Sequence, residues 1–153
     1  MTEQRSQLRL MAMNYLARRE QAYRELAEKI KGRVPDLDSE LLHSVLGELV
    51  EDGLQDDKRY AEMLANSRSG RGYGPVRIHM EMSQKGLPES LIQQVMDELE
   101  LDWFALARQQ CEKKYSAADL EDWKTRGKAG QFLQRRGFTS EQVRAAINGD
   151  EWE

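Results

Sequence analysis

Three times in this chain a glycine is followed by an apolar residue and then an amphipathic helical run. Gly32 precedes Val34 and the run Leu41-Leu42-His43-Ser44-Val45-Leu46. Gly86 precedes Leu87 and Leu91-Ile92-Gln93-Gln94-Val95-Met96. Gly137 precedes Phe138 and Gln142-Val143-Arg144-Ala145-Ala146-Ile147. Gly86 follows Gly32 by 54 residues, and Gly137 follows Gly86 by 51. Self-similarity at about fifty residues means one supersecondary unit used repeatedly. A row of such units presents a binding surface more readily than a single catalytic pocket.

Apolar residues recur at spacings of three and four, and runs rich in Val, Ile and Thr are absent, so the chain is expected to be all-α. The spacing predicts helices over about 6–19 and 22–31, the second stopped by Gly32. A third, capped by Asp36 or Asp38, ends near Gly53. Acids at Asp56-Asp57 open the next helix, which is expected to fray through Ser69-Gly70-Arg71-Gly72-Tyr73. Gly74-Pro75 and Pro88 start two more, since proline suits the first helical position. Asp102 opens a helix carrying Trp103, Phe104, Leu106, Ala107 and Cys111. A middle helix from about Leu120 to Arg136 presents Trp123, Phe132 and Leu133 and ends at Gly137. Thr139 to Gln142 has the form of a capping box. Asp150-Glu151-Trp152-Glu153 reads as a frayed tail. Three units follow, over residues 1–54, 55–100 and 101–153. One helix trio has a small core, so neighbours must support each other.

No residue constellation here supports catalysis. The histidines, His43 and His79, fit no metal-ligand spacing, and the single Cys111 can build no cysteine zinc site. Cys111 reads as a small core residue. Gly70-Arg71-Gly72-Tyr73-Gly74-Pro75 lacks the Gly-Lys-Ser/Thr ending of a phosphate loop and reads as an inter-helix turn. No catalytic residue, cofactor or metal is expected. The polar stretch from Met1 to Gln7 and the absence of an apolar run near 20 residues point to a cytoplasmic protein without a membrane partner.

Charge is more informative locally than globally. The net charge is -4, and the acidic excess lies in the middle third, with 10 acids against 6 bases over residues 51–101. Within that third, Arg68, Arg71, Arg77 and Lys85 surround Tyr73 with one acid, Glu81, among them. A second cluster is Lys124, Arg126, Lys128, Arg135 and Arg136. Both flank middle helices in equivalent units. They are candidates for contact with phosphates or an acidic protein surface, against the plainer reading of a solvated face.

The chain resembles the RecX family, regulatory proteins of the RecA recombinase. The matching pieces are Leu16-Ala17-Arg18-Arg19-Glu20 with Arg24-Glu25-Leu26 and Lys29-Ile30; Asp56-Asp57-Lys58-Arg59-Tyr60-Ala61 with Ser67-Arg68; Gly72-Tyr73-Gly74-Pro75-Val76-Arg77-Ile78; Lys85-Gly86-Leu87; and Arg136-Gly137-Phe138. Their order and spacing hold from about Leu8 to Ile147. Ala22 stands where the family often has serine. It cannot cap the second helix, which deprives Glu25 of a capping-box partner at a cost of about 1 kcal/mol.

The resemblance implies three tandem three-helix repeats forming an elongated, curved array. It implies a monomeric regulator, not an enzyme, that binds the RecA–single-stranded DNA filament. Its expected effect is to inhibit the ATPase, strand-exchange and co-protease activities by blocking extension or promoting disassembly. Arg68, Arg71, Tyr73, Arg77, Lys85, Arg126, Lys128, Arg135 and Arg136 are the candidate contacts to RecA, or to DNA held weakly and without sequence preference. A stand-alone helical DNA-binding module of helix-turn-helix type is the alternative.

Overall fold

The computed structural model describes residues 2–149, so the tail at 150–153 lies outside the described residues. Among the described residues there are nine α-helices and no strand: α1 (Thr2–Arg18), α2 (Tyr23–Arg33), α3 (Ser39–Glu51), α4 (Asp57–Gly70), α5 (Pro75–Gln84), α6 (Glu89–Glu98), α7 (Trp103–Lys114), α8 (Trp123–Arg135) and α9 (Ser140–Asn148). The described residues divide into two compact units, 2–63 with 82–92 and 64–81 with 93–149.

In the first unit, Leu8 and Ala12 of α1 pack with Leu26, Ala27 and Ile30 of α2 and with Leu42, Val45, Leu46 and Leu49 of α3. These positions follow the three-and-four spacing of an amphipathic helix. In the second, Ala107 and Cys111 of α7, Ala129 and Leu133 of α8, Phe138, and Ala146 of α9 form the core. Trp103 and Phe132 pack at its margin, half-buried. Cys111 is a core residue as expected, and burial, followed by the nearby Glu112 charge, pushes its thiol up.

The repeated glycines do not all do the same work. Gly86 (φ 86) and Gly137 (φ 95) are left-handed stops. At each, the following N–H donates five residues back: Leu87 to the Met82 carbonyl (3.2 Å) and Phe138 to that of Leu133 (3.2 Å). The apolar pairs Leu87/Met82 and Phe138/Leu133 complete the Schellman pattern. Gly32 differs from expectation. It lies inside α2, which ends at Arg33 with Val34 as its cap, and the left-handed residue there is Asp36 (φ 57).

Other boundaries also moved. α4 holds through Gly70, and the turn after it is closed by the Tyr73 N–H donating to Arg68 O (3.0 Å). α8 starts at Trp123; Asp119–Glu121 form a separate 3-10 turn. Trp123 is 75% exposed. The capping box at Thr139 and Gln142 is present as expected.

The start of α2 is secured from outside its own sequence. Ala22 provides no side-chain cap. Instead the Tyr23 N–H donates to Asp57 Oδ1 (2.8 Å). Buried Gln55 fixes that carboxylate, donating from Nε2 to Asp57 Oδ1 (2.9 Å) and to Gln21 O (3.0 Å). A tertiary carboxylate thus does what the missing serine would have done locally. Glu25, freed from a capping box, takes up an ion-pair role described below.

Candidate functional site

The turn before α5 and the turn after α8 are built against each other. The Gly74 N–H donates to Arg136 O (2.7 Å), and the Val76 N–H donates to Gly137 O (2.9 Å). Unpaired donors at the N-terminus of α5 therefore meet unpaired acceptors at the C-terminus of α8. This satisfies both helix ends and sets opposite ends of two helix dipoles together. The approach leaves no room for side chains. A Cβ on Gly74 would lie 2.5 Å from Gly137 O, and one on Gly137 would lie 2.7 Å from the Arg77 backbone nitrogen.

This backbone contact gathers a cluster of rings and cations. The Tyr73 ring carries the Arg77 guanidinium at 4.0 Å from its centroid and that of Arg136 at 4.9 Å. Arg136 also lies 5.3 Å from the Phe132 centroid, where Lys114 Nζ approaches to 4.3 Å. Two aromatic faces thus hold three cations in place, each attracted by the ring quadrupole. Arg136 is further oriented by donating from Nη1 to Arg71 O (3.2 Å).

Glu81 is the carboxylate that serves this group. It lies 2.8 Å from Arg68 Nε and 4.0 Å from Arg77 Nε. The Arg77 Nε is buried without a hydrogen-bond partner. Among the described residues, Arg71, Lys114 and Arg136 have no ion pair. The result is a partly exposed, positively charged surface with pre-oriented guanidinium planes, suited to carboxylates or phosphates.

The structure redistributes the two sequence clusters. Arg68 and Arg77 share Glu81, Arg77 lies on Tyr73, and Arg136 joins them from the second cluster; Arg71 takes part through its backbone carbonyl. Arg126 is engaged elsewhere, donating to Leu120 O (3.3 Å) and to the Asn148 side chain. Lys128 and Arg135 stay exposed on the outer side of α8. Lys85 belongs to the other compact unit, 2.8 Å from Glu25.

Glu25 is the centre of that second arrangement. Its side chain is 6% exposed and also pairs with Arg19 at 3.1 Å. Burial pushes the carboxyl up, but hydrogen bonds from Arg19 and Lys85 outweigh it and hold the group at about 2. Lys85 is thereby partly neutralised. Lys114 is the residue the sequence reading missed; its position at the end of α7, just before Tyr115, was the available signal.

Family models match residues 56–96, as the second three-helix domain of RecX, and residues 100–147, as the third. A regulatory protein RecX from Halorhodospira halophila is 45% identical over 135 residues, covering 88% of this chain and 83% of the relative. One from Pseudomonas entomophila is 37% identical over 143 residues, covering 93% and 90%.

The chain belongs to the RecX family.

The crystal structure of RecX from Lactobacillus salivarius superposes with a TM-score of 0.84 at 20% identity, covering 97% of both chains, which shows the shared all-helical fold. The matched second and third domains of the RecX family fit an array of three-helix repeats. The Gly72–Arg77 stretch lies in the second of these domains and Arg136-Gly137-Phe138 in the third. Their hydrogen bonds make them two halves of one contact. No helix among the described residues is long and apolar enough to cross a membrane, and none of their His, Cys, Asp and Glu side chains group to hold a metal.

Proposed function

We propose that this chain binds the RecA–single-stranded DNA filament and inhibits its ATPase, strand-exchange and co-protease activities, by blocking extension or promoting disassembly. Its action is regulatory, not catalytic, and its setting is the cytoplasm. The three repeats run over residues 1–54, 55–100 and 101–153, and several moderate contacts made by one tethered chain add to a useful affinity.

The observation that carries this reading, within the RecX family, is the Arg71–Tyr73–Arg77–Arg136 cluster. Arginine and tyrosine are the residue types that dominate binding energy at protein interfaces. Here Arg77 and Arg136 are held on the Tyr73 ring before any partner arrives, which reduces the ordering cost of binding, and Arg71 adds an exposed cation beside them. Arg68 and Lys114 extend the same surface.

The test is RecA ATP hydrolysis on single-stranded DNA with the chain added. Wild type is expected to slow hydrolysis. Arg71→Glu alone, and Arg71→Glu with Arg136→Glu, should require about tenfold more protein for the same inhibition, as for removal of interface anchors. Unchanged melting temperatures would separate lost contact from lost fold. No inhibition by wild type at several-fold excess over RecA sinks the proposal. Full inhibition by both variants removes the cluster from it.

A further inference from the structure

The outer face of α8 is a second charged surface that the cluster above does not use. Residues 123, 124, 127, 128, 131, 134 and 135 are all exposed. At about 100° per residue they share one side of the helix. That side carries one indole, three cations, two amides and a glycine. The whole of α8 lacks Asp and Glu, in a chain whose acids outnumber its bases by 27 to 23.

Two of these residues have no explanation in packing. Trp123 leaves 75% of its surface in water. Gly127 lies inside a helix, where glycine costs about 1 kcal/mol relative to alanine. A Cβ at Gly127 would meet nothing within 4 Å, so the core does not require its absence. Gly127 lies one turn beyond Trp123 on the same side of the helix. Lys124 Nζ sits 5.7 Å from the indole ring.

We propose that this face binds single-stranded nucleic acid, with an unpaired base stacked on Trp123 and the backbone phosphates on Lys124, Lys128 and Arg135. An exposed aromatic platform beside a line of cations is the arrangement that holds single strands without reading sequence. A duplex hides its base faces and cannot use the indole in this way. The face has no aliphatic residue, which sets it apart from the apolar centre of a protein interface and from a membrane-surface helix.

The acids that precede α8 are partly committed. Asp122 accepts from the Thr125 N–H (3.2 Å) and its hydroxyl (2.9 Å), and Asp119 accepts from the Ser116 N–H (2.9 Å). Their charge directs the strand away from the helix start, toward Arg135. Arg126, held by Leu120 and Asn148, takes no part. This binding does not depend on a recombinase, so it stands or falls apart from the filament reading.

The experiment is fluorescence anisotropy of a labelled thymidine oligonucleotide, about 16 nucleotides long, with the full chain and no RecA. Wild type should bind at low salt and weaken steeply as salt rises. Trp123→Ala should weaken binding roughly 5- to 100-fold, and Trp123→Phe should retain most of it. Lys124→Glu with Lys128→Glu and Arg135→Glu should nearly abolish binding and flatten the salt slope by about 2. All four side chains are exposed, so circular dichroism should show unchanged helicity. The proposal is overturned by no wild-type binding at low salt, by equal binding of Trp123→Ala, or by equal affinity for the duplex. Equal competition by polyglutamate would also overturn it, as simple charge adhesion.

Discussion

Alanine at each of the three repeated glycines should give three different results. At Gly137 (φ 95) a Cβ adopts a left-handed conformation costing about 1–2 kcal/mol. It also meets the Arg77 backbone nitrogen at 2.7 Å, and that nitrogen belongs to a helix and cannot yield locally. Separating the two turns strains the Gly74 to Arg136 and Val76 to Gly137 hydrogen bonds, each worth about 0.5–1.5 kcal/mol. Gly137→Ala should therefore destabilise by about 2–5 kcal/mol. For a chain of this size that lowers the melting temperature by about 5–15 °C. At Gly86 (φ 86) the nearest obstacle is Arg24 Cδ at 2.7 Å, on a flexible side chain. The conformational term remains, and Gly86→Ala should cost about 1–2 kcal/mol. Gly32 is helical with nothing within 4 Å, so Gly32→Ala should stabilise by about 0.5–1 kcal/mol. Urea and thermal unfolding followed by circular dichroism read all three. A Gly137→Ala protein that unfolds together with Gly86→Ala refutes the backbone-crossing argument. A destabilised Gly32→Ala refutes the assignment of Gly32 to a helix interior.

The Glu25 ion pairs predict a pH dependence of stability. A folded value of about 2, below the usual 4.5, means the stabilisation is complete above the usual value and is lost as pH falls from there toward 2. The full shift corresponds to about 3 kcal/mol. Arg19 and Lys85 are 46% and 42% exposed, and solvent screening reduces this to about 1–2 kcal/mol. Glu25→Gln should be less stable near neutrality and should show a flatter acid limb in urea titrations; an unaltered acid limb would show that the pairs contribute nothing. Asp57→Ala should cost about 1–2 kcal/mol by uncapping α2 and removing one of the two acceptors of the buried Gln55 amide, with faster amide hydrogen exchange at Tyr23 as its local mark. Exchange at Tyr23 equal to wild type would contradict capping by Asp57.

Helix identity was legible because it depends on local spacing. Leu26, Ala27 and Ile30, or Leu42, Val45, Leu46 and Leu49, follow the period of a helix whatever surrounds them. The stops at Gly86 and Gly137 were legible for the same reason, since each is followed by the apolar residue a Schellman turn needs. Gly32 is followed by the charged Arg33, without that apolar residue, and stays helical. Trp123 stands between Asp122 and Lys124 and is exposed. Which aromatic of α8 is covered depends on where another element packs: Phe132 lies against the core and Trp123 does not.

What the sequence determined by itself is the all-helical repeat, the main core residues, the Thr139 capping box and the ordered motifs that mark the RecX family. All of these rest on interactions spanning five residues or fewer, or on residue order. Tertiary structure alone decided which cations act together. It moved Arg136 onto Tyr73, added Lys114 through Phe132, paired Lys85 with Glu25 and tied Arg126 to Asn148. It also supplied the α2 cap from Asp57, 34 residues away. Charge partners and distant caps are chosen by proximity in space. That proximity follows from how the helices pack, and the Gly74–Gly137 crossing is the point where two separate motifs become one surface.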